Sequence, residues 1–190
     1  MNQMSAALGR VQLKYYDARC EELREAMNYF WDRLDGFPGL RPHRVNPESG
    51  STMAGWYSPK GHYRPDELGG LSVSRFCEAV RAEGARARPG CNKPLHRHRL
   101  FLDADIYGHG KPTRIANSSR DVRESQGELP VSENINSRLF TFERFVRMRP
   151  EAISRYADAF KKVVENHEEL IPDDPGNPVD VGGWASAFSP

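Results

Sequence analysis

The chain of 190 residues has only three cysteines, Cys20, Cys77 and Cys91. An odd number at such wide spacing makes neither a disulfide framework nor a CxxC metal signature, and a reducing cytoplasm is the setting it fits. Long hydrophobic runs are also missing. None approaches the ~20 apolar residues of a membrane span, and the first residues lack the apolar stretch and cleavage site of a signal peptide. Charge of one sign is scarce: 27 Lys and Arg against 26 Asp and Glu leave a formal net charge of +1. So weak a field does not gather a polyanion, and nucleic acid is not an expected partner despite the local cluster Arg86, Arg88, His96, Arg97, His98 and Arg99.

What remains is enough for one domain. Hydrophobic residues make up 38% and charged residues 28%, and the mean hydropathy is −0.71. That composition is polar for a globular chain but lacks the high net charge of disordered ones, so a water-soluble domain with a modest core is expected.

Leu13, Tyr16, Cys20, Leu23, Met27, Phe30 and Leu34 recur at spacings of three and four, which predicts one long helix over residues 1–35, stopped by Gly36 and Pro38. Arg19, Glu22, Glu25 and Asp32 take the opposite face, so the stripe reads as packing surface. Strands are expected at 40–45 and 51–57, separated by the loop-forming Asn46-Pro47-Glu48-Ser49-Gly50, giving a small, mainly antiparallel sheet. Ser72 can cap a helix carrying Val73, Phe76, Cys77 and Val80 on one side and ending at Gly84; a strand over 85–88 would complete a βαβ-like unit.

Periodicity fails from Pro89 to Pro130, far longer than an ordinary connection, and long ordered loops usually serve function. Ser132 and Glu133 can open a helix to about Arg138, followed by an extended 139–146. Pro150 suits the first residue of a last helix, with Ile153, Tyr156, Ala157, Phe160, Val163 and Val164 on one face, running to about Leu170. Residues 171–190 read as a flexible tail, or as one docked by Trp184 and Phe188. The fold class is therefore α/β, of the α+β kind: a long N-terminal helix and a small sheet with helices packed on it, the domain proper spanning 36–170.

Several residues invite a chemical reading. His96 and His98 would project to one side of a strand, with His62 and His109 in glycine-flanked loops, but no Asp or Glu stands at a ligand spacing and Arg97 and Arg99 would repel a cation. Lys111, in Gly108-His109-Gly110-Lys111-Pro112, lacks the frame of a phosphate loop. Cys91 as a nucleophile would need a positioned histidine. Asn92 and Lys93 could serve a sugar hydroxyl and a nucleotide phosphate; the plainer reading is a loop amide and an exposed charge.

Taken in order, Met1-Asn2-Gln3-Met4-Ser5-Ala6-Ala7-Leu8-Gly9, Val11-Gln12-Leu13 and Asp17, then Gly36 to Leu40, Trp56-Tyr57, a Ser-Arg-containing helix ending at Gly84, Pro94-Leu95-His96, Leu129-Pro130-Val131 and Tyr156-Ala157-Asp158-Ala159-Phe160 resemble the DegT/StrS-type sugar and aminocyclitol aminotransferases over about residues 1–170. The resemblance implies the small, C-terminal domain of a fold type I pyridoxal-phosphate transferase, with Met1 falling in the helix that joins it to a large domain. It also implies a Schiff-base lysine and a pyridinium-pairing aspartate in that large domain, so no catalytic residue is assigned here and no pyridoxal phosphate is expected on this chain alone. His96 matches a family histidine that reaches the substrate cleft and would hydrogen-bond a hydroxylated substrate, with Asn92 and Lys93 beside it; where many relatives have a His-Tyr-like pair, Cys91-Asn92 stands.

The activity so implied is amino transfer from glutamate or glutamine to a keto sugar or keto-cyclitol, in an enzyme whose full-length members are typically homodimers. The alternative is a non-catalytic binding or assembly module, or one half of a split aminotransferase pairing with a separately encoded large domain.

Overall fold

The computed structural model describes residues 2–51, 53, 55–98, 129–179 and 181. His109, Lys111, Trp184 and Phe188 lie outside them.

The N-terminal helix is two helices, α1 (Gln3–Lys14) and α2 (Tyr16–Arg33). Asn2 caps α1, its Oδ1 accepting from Ser5 N–H at 2.8 Å. Tyr15 leaves helical geometry between them, its ring flanked by Lys14 Nζ at 5.5 Å and the Arg19 guanidinium at 5.7 Å. The expected stripe divides at the same place. Met27 and Phe30 are fully buried, whereas Leu13 is 71% and Tyr16 56% exposed. α1 buries no residue at all.

Four strands follow: β1 (Leu40–Pro42), β2 (Lys60–Tyr63), β3 (Ala87–Pro89) and β4 (Leu139–Phe142). They form one sheet in the order β1-β2-β4-β3, every neighbouring pair antiparallel, with Leu40 opposite Tyr63, Gly61 opposite Phe140 and Ala87 opposite Phe142. β2, helix α3 (Val73–Ala82) and β3 make the expected βαβ-like unit, with β4 inserted between its two strands. The second strand is not at 51–57 but at Lys60–Tyr63. Trp56, which suggested a strand, is 4% exposed as a core plug on irregular backbone.

Alternation along the strands gives the sheet a core face and an outer face. Gly61, Tyr63, Phe140 and Phe142 point inward against Phe30, Trp31, Phe76 and Phe160. Gly61 is required by that packing, because a Cβ there would lie 2.7 Å from Trp31 Cη2 and closer still to the Phe140 ring. Tyr63 buries its ring but donates its hydroxyl to Leu71 C=O at 2.9 Å, and burial pushes its pKa up.

Helix α3 begins as the sequence indicates, Ser72 Oγ accepting from Arg75 N–H at 3.1 Å, and Gly84 follows its end at φ +87°. A short helix α4 (Pro130–Asn134) and a 3-10 turn (Ile135–Arg138) lead into β4. Helix α5 (Pro150–Glu165) starts at Pro150 and buries Ile153, Ala157, Phe160, Val163 and Val164, with a 3-10 turn (His167–Leu170) beyond it. Past Leu170, the described part of the tail is docked through polar groups: Asp174 accepts from Ser72 N–H (2.6 Å) and Oγ (2.7 Å), and Asn177 Oδ1 from Ser74 N–H (3.1 Å). Among the described residues no helix is long and apolar enough to cross a membrane.

Candidate functional site

The loop that leaves β3 carries all three residues singled out by the sequence, and Glu133, Asn136 and Leu139, which come after residue 128, hold it. Gly90, at φ +65°, donates to Leu139 C=O at 2.6 Å. Asn136 is 4% exposed and satisfies both ends of its amide on the loop: Oδ1 accepts from Cys91 N–H at 2.9 Å and Nδ2 donates to Asn92 C=O at 3.1 Å. A buried amide so engaged fixes the backbone where an unpaired one would be costly.

Pro94 then leads into a 3-10 turn, Leu95–Arg97, not the strand that would have aligned His96 with His98. His98 Nε2 donates back to Lys93 C=O at 3.1 Å and closes the loop. His96 Nε2 lies 2.9 Å from Glu133 Oε1, and Arg97 Nη2 3.0 Å from Glu133 Oε2. The bond from His96, with the positive charge of Arg97, keeps the Glu133 carboxyl below the usual carboxylate range despite partial burial. An ionised carboxylate only accepts, so His96 donates from Nε2. In the neutral ring Nδ1 is then an acceptor, and it has no partner among the described residues.

The loop thus brings His96, Asn92 and Lys93 onto one short segment, but engages Asn92 and Lys93 through their carbonyls. Asn136, Glu133 and Lys60 are additional. Glu133 read in the sequence as part of a helix start, and Asn136 had no signal beyond being an amide in an otherwise polar turn. Among the described residues no three His, Cys, Asp or Glu side chains gather to hold a metal. A groove of about 970 Å³ lies elsewhere, between α2 and residues 42–56, lined by Tyr16, Cys20, Arg24, Arg44, Met53 and Trp56. It is an open trough that holds none of the loop residues.

A family model for the DegT/DnrJ/EryC1/StrS aminotransferases matches residues 1–164. The chain belongs to that family. It is 28% identical over 173 residues to an L-glutamine:2-deoxy-scyllo-inosose aminotransferase of Micromonospora echinospora, a match covering 90% of this chain and 39% of the relative. Among solved structures, an aminotransferase from Psychrobacter cryohalolentis superposes with a TM-score of 0.64 at 19% identity, covering 88% of this chain and 40% of the other. DesI in the presence of its TDP-sugar product superposes at 0.58 and 14%, covering 91% and 38%. The chain therefore spans about two fifths of the relatives it matches.

DegT/DnrJ/EryC1/StrS aminotransferases are in general dependent on pyridoxal phosphate. The described residues do not by themselves make a cradle for that group. Lys60, at the foot of the loop, faces two hydroxyls and no carboxylate that could sit against a pyridinium nitrogen. Lys161 is paired with Asp158 and Lys162 with Glu83, both on the far side of the core.

Proposed function

We propose that this chain is the small, C-terminal domain of a pyridoxal-phosphate aminotransferase acting on a keto sugar or keto-cyclitol, and that it is inactive until a large domain supplies the Schiff-base lysine. What carries the reading is the family match along residues 1–164 together with a span of only 39% of a cyclitol aminotransferase. α1 supports it. Met4, Leu8 and Val11 follow one another at helical spacing and are 84%, 62% and 53% exposed, an apolar stripe of the kind that marks a covered surface in the complete assembly.

In that reading residues 1–35 join the two domains, 36–170 form the small domain, and the loop 90–98 is its contribution to the cleft. His96 accepts a substrate hydroxyl at Nδ1 while Glu133 holds Nε2–H. Asn92 and Lys93, whose side chains leave the same loop, contact the remaining hydroxyls or a negatively charged substituent. The amino group comes from glutamate or glutamine, the assembled enzyme is a homodimer, and the setting is the cytoplasm.

The stripe on α1 also favours a second reading, in which the chain is one half of a split enzyme or a non-catalytic assembly module. Co-purification with a family large domain separates the catalytic readings from the assembly module. A complex that aminates a keto-cyclitol is the outcome of the first reading or of the split enzyme; a stable complex with no turnover supports the assembly module.

A further inference from the structure

Lys60 opens β2, and strand alternation sends its side chain to the outer face of the sheet with that of His62. Its cross-strand partner is Thr141. The Nζ donates to Ser58 Oγ at 2.7 Å and to Thr141 Oγ1 at 3.1 Å; Thr141 in turn donates to Gly90 C=O at 3.1 Å. An ammonium has three N–H donors and no acceptor. Two are aimed by these hydroxyls and the third has no partner among the described residues.

Several cations nearer the surface have carboxylate partners: Arg86 has Glu143, Arg147 has Glu22 and Lys162 has Glu83. Lys60 is half-buried and has no carboxylate within ion-pair distance among the described residues. A lone charge costs most where water is partly excluded, and burial holds the Lys60 pKa below the ordinary lysine value. Burial is opposed by the nearby Cys91, and two histidines adjoin. His62 and His43 meet edge to face with ring centroids 5.4 Å apart, and burial, then His43 and Arg64, hold the His62 pKa down. Gly90, the acceptor at the end of the Lys60–Thr141 chain, is where the His96 loop begins.

We propose that Lys60 Nζ, oriented by Ser58 and Thr141, is an oxyanion-binding group on the outer face of the sheet and takes the carboxylate or phosphate of a small ligand at the foot of the 90–98 loop. The proposed function bears only on which ligand arrives there.

The test is a titration of the full chain by nitrogen-15 NMR at constant ionic strength, with inorganic phosphate in one series and L-glutamate in the other, following the Lys60 Nζ resonance and the amides of 58–61 and 141. Saturable shifts in either series are expected, weakened roughly tenfold or more in Lys60→Met, several-fold in Thr141→Val, and within twofold of wild type in Lys14→Met on the exposed α1. Saturation by phosphate alone names a phosphate ligand, by glutamate alone a carboxylate, and by both a general oxyanion site; each supports the assignment. No movement of Lys60 Nζ in either series, or equal binding by Lys60→Met, overturns it. The Nζ resonance is read in the wild-type chain, so a variant that fails to fold does not remove the test. Loss of transaminase activity in any assembled enzyme leaves this titration untouched.

Discussion

His96 Nε2 donates to Glu133 Oε1 across 2.9 Å, tying the turn that follows β3 to a helix that begins 33 residues later, at Pro130. The bond sets the ring's orientation and leaves Nδ1 as the acceptor. Glu133→Ala removes that tie and the partner of Arg97 together. In an assembled enzyme the expected result is a raised KM for the keto substrate with a smaller effect on kcat, because the lost interaction orients a binding group and not the amine chemistry. Steady-state kinetics with the keto substrate varied at fixed amino donor checks it; an unchanged KM removes His96 from the cleft.

Asn136 is the loop's second anchor. Asn136→Ala leaves Cys91 N–H and Asn92 C=O without their partners, and a loss of about 2 kcal/mol is expected from unpaired, partly buried groups. Urea unfolding measures it. Amide exchange at Cys91 should rise by more than the global loss accounts for, since the opening is local.

Gly61 has no room for a side chain against Trp31 and Phe140. Gly61→Ala should destabilise the chain by about 1–3 kcal/mol through forced ring displacement at the centre of the sheet, measured as a lower urea midpoint with an unchanged slope. A neutral result would mean that β2 sits farther from α2 than the packing described here.

Asp174 provides the pH dependence. Burial raises its pKa, but the Ser72 N–H and hydroxyl, the Gly176 N–H and Arg75 outweigh burial and hold the carboxyl below the ordinary aspartate value. A depressed folded-state pKa adds stability above the unfolded value of ~3.9 that is lost as pH falls through the folded one. The tail should stay docked at neutral pH and release only below about pH 4. Amide exchange at Ser72 and Gly176 followed down that range reports it, and Asp174→Asn should abolish the pH dependence.

How much of this was legible in the sequence follows from how local each feature is. Ser72 caps α3 and Pro150 opens α5 where a local rule places them, and the buried face of α5 is the one its periodicity gives. The long N-terminal stripe failed as a guide at Leu13 and Tyr16 because periodicity reports an apolar face but not whether anything packs on it; α1 projects beyond the sheet. β2 was displaced because Lys60-Gly61-His62-Tyr63 has a glycine and two polar residues where a strand signal wants apolar ones, and only contact with Phe140 and Trp31 explains the glycine. His96 could be singled out by resemblance. Its partner could not, since Glu133 and Asn136 reach the loop across a segment of more than 30 residues, and a pairing at that separation has no sequence signature.

The central claim is that the lysine chemistry lies outside this chain, and it is tested most directly by borohydride reduction with pyridoxal phosphate followed by intact and peptide mass measurement. The chain alone should show no stoichiometric adduct at any one lysine and no transamination of a keto-cyclitol, whereas adding a family large domain should give one adduct per complex, on that domain's lysine, and turnover. A single stoichiometric adduct on Lys60, or any other lysine of this chain, accompanied by transaminase activity without a partner, would contradict the claim.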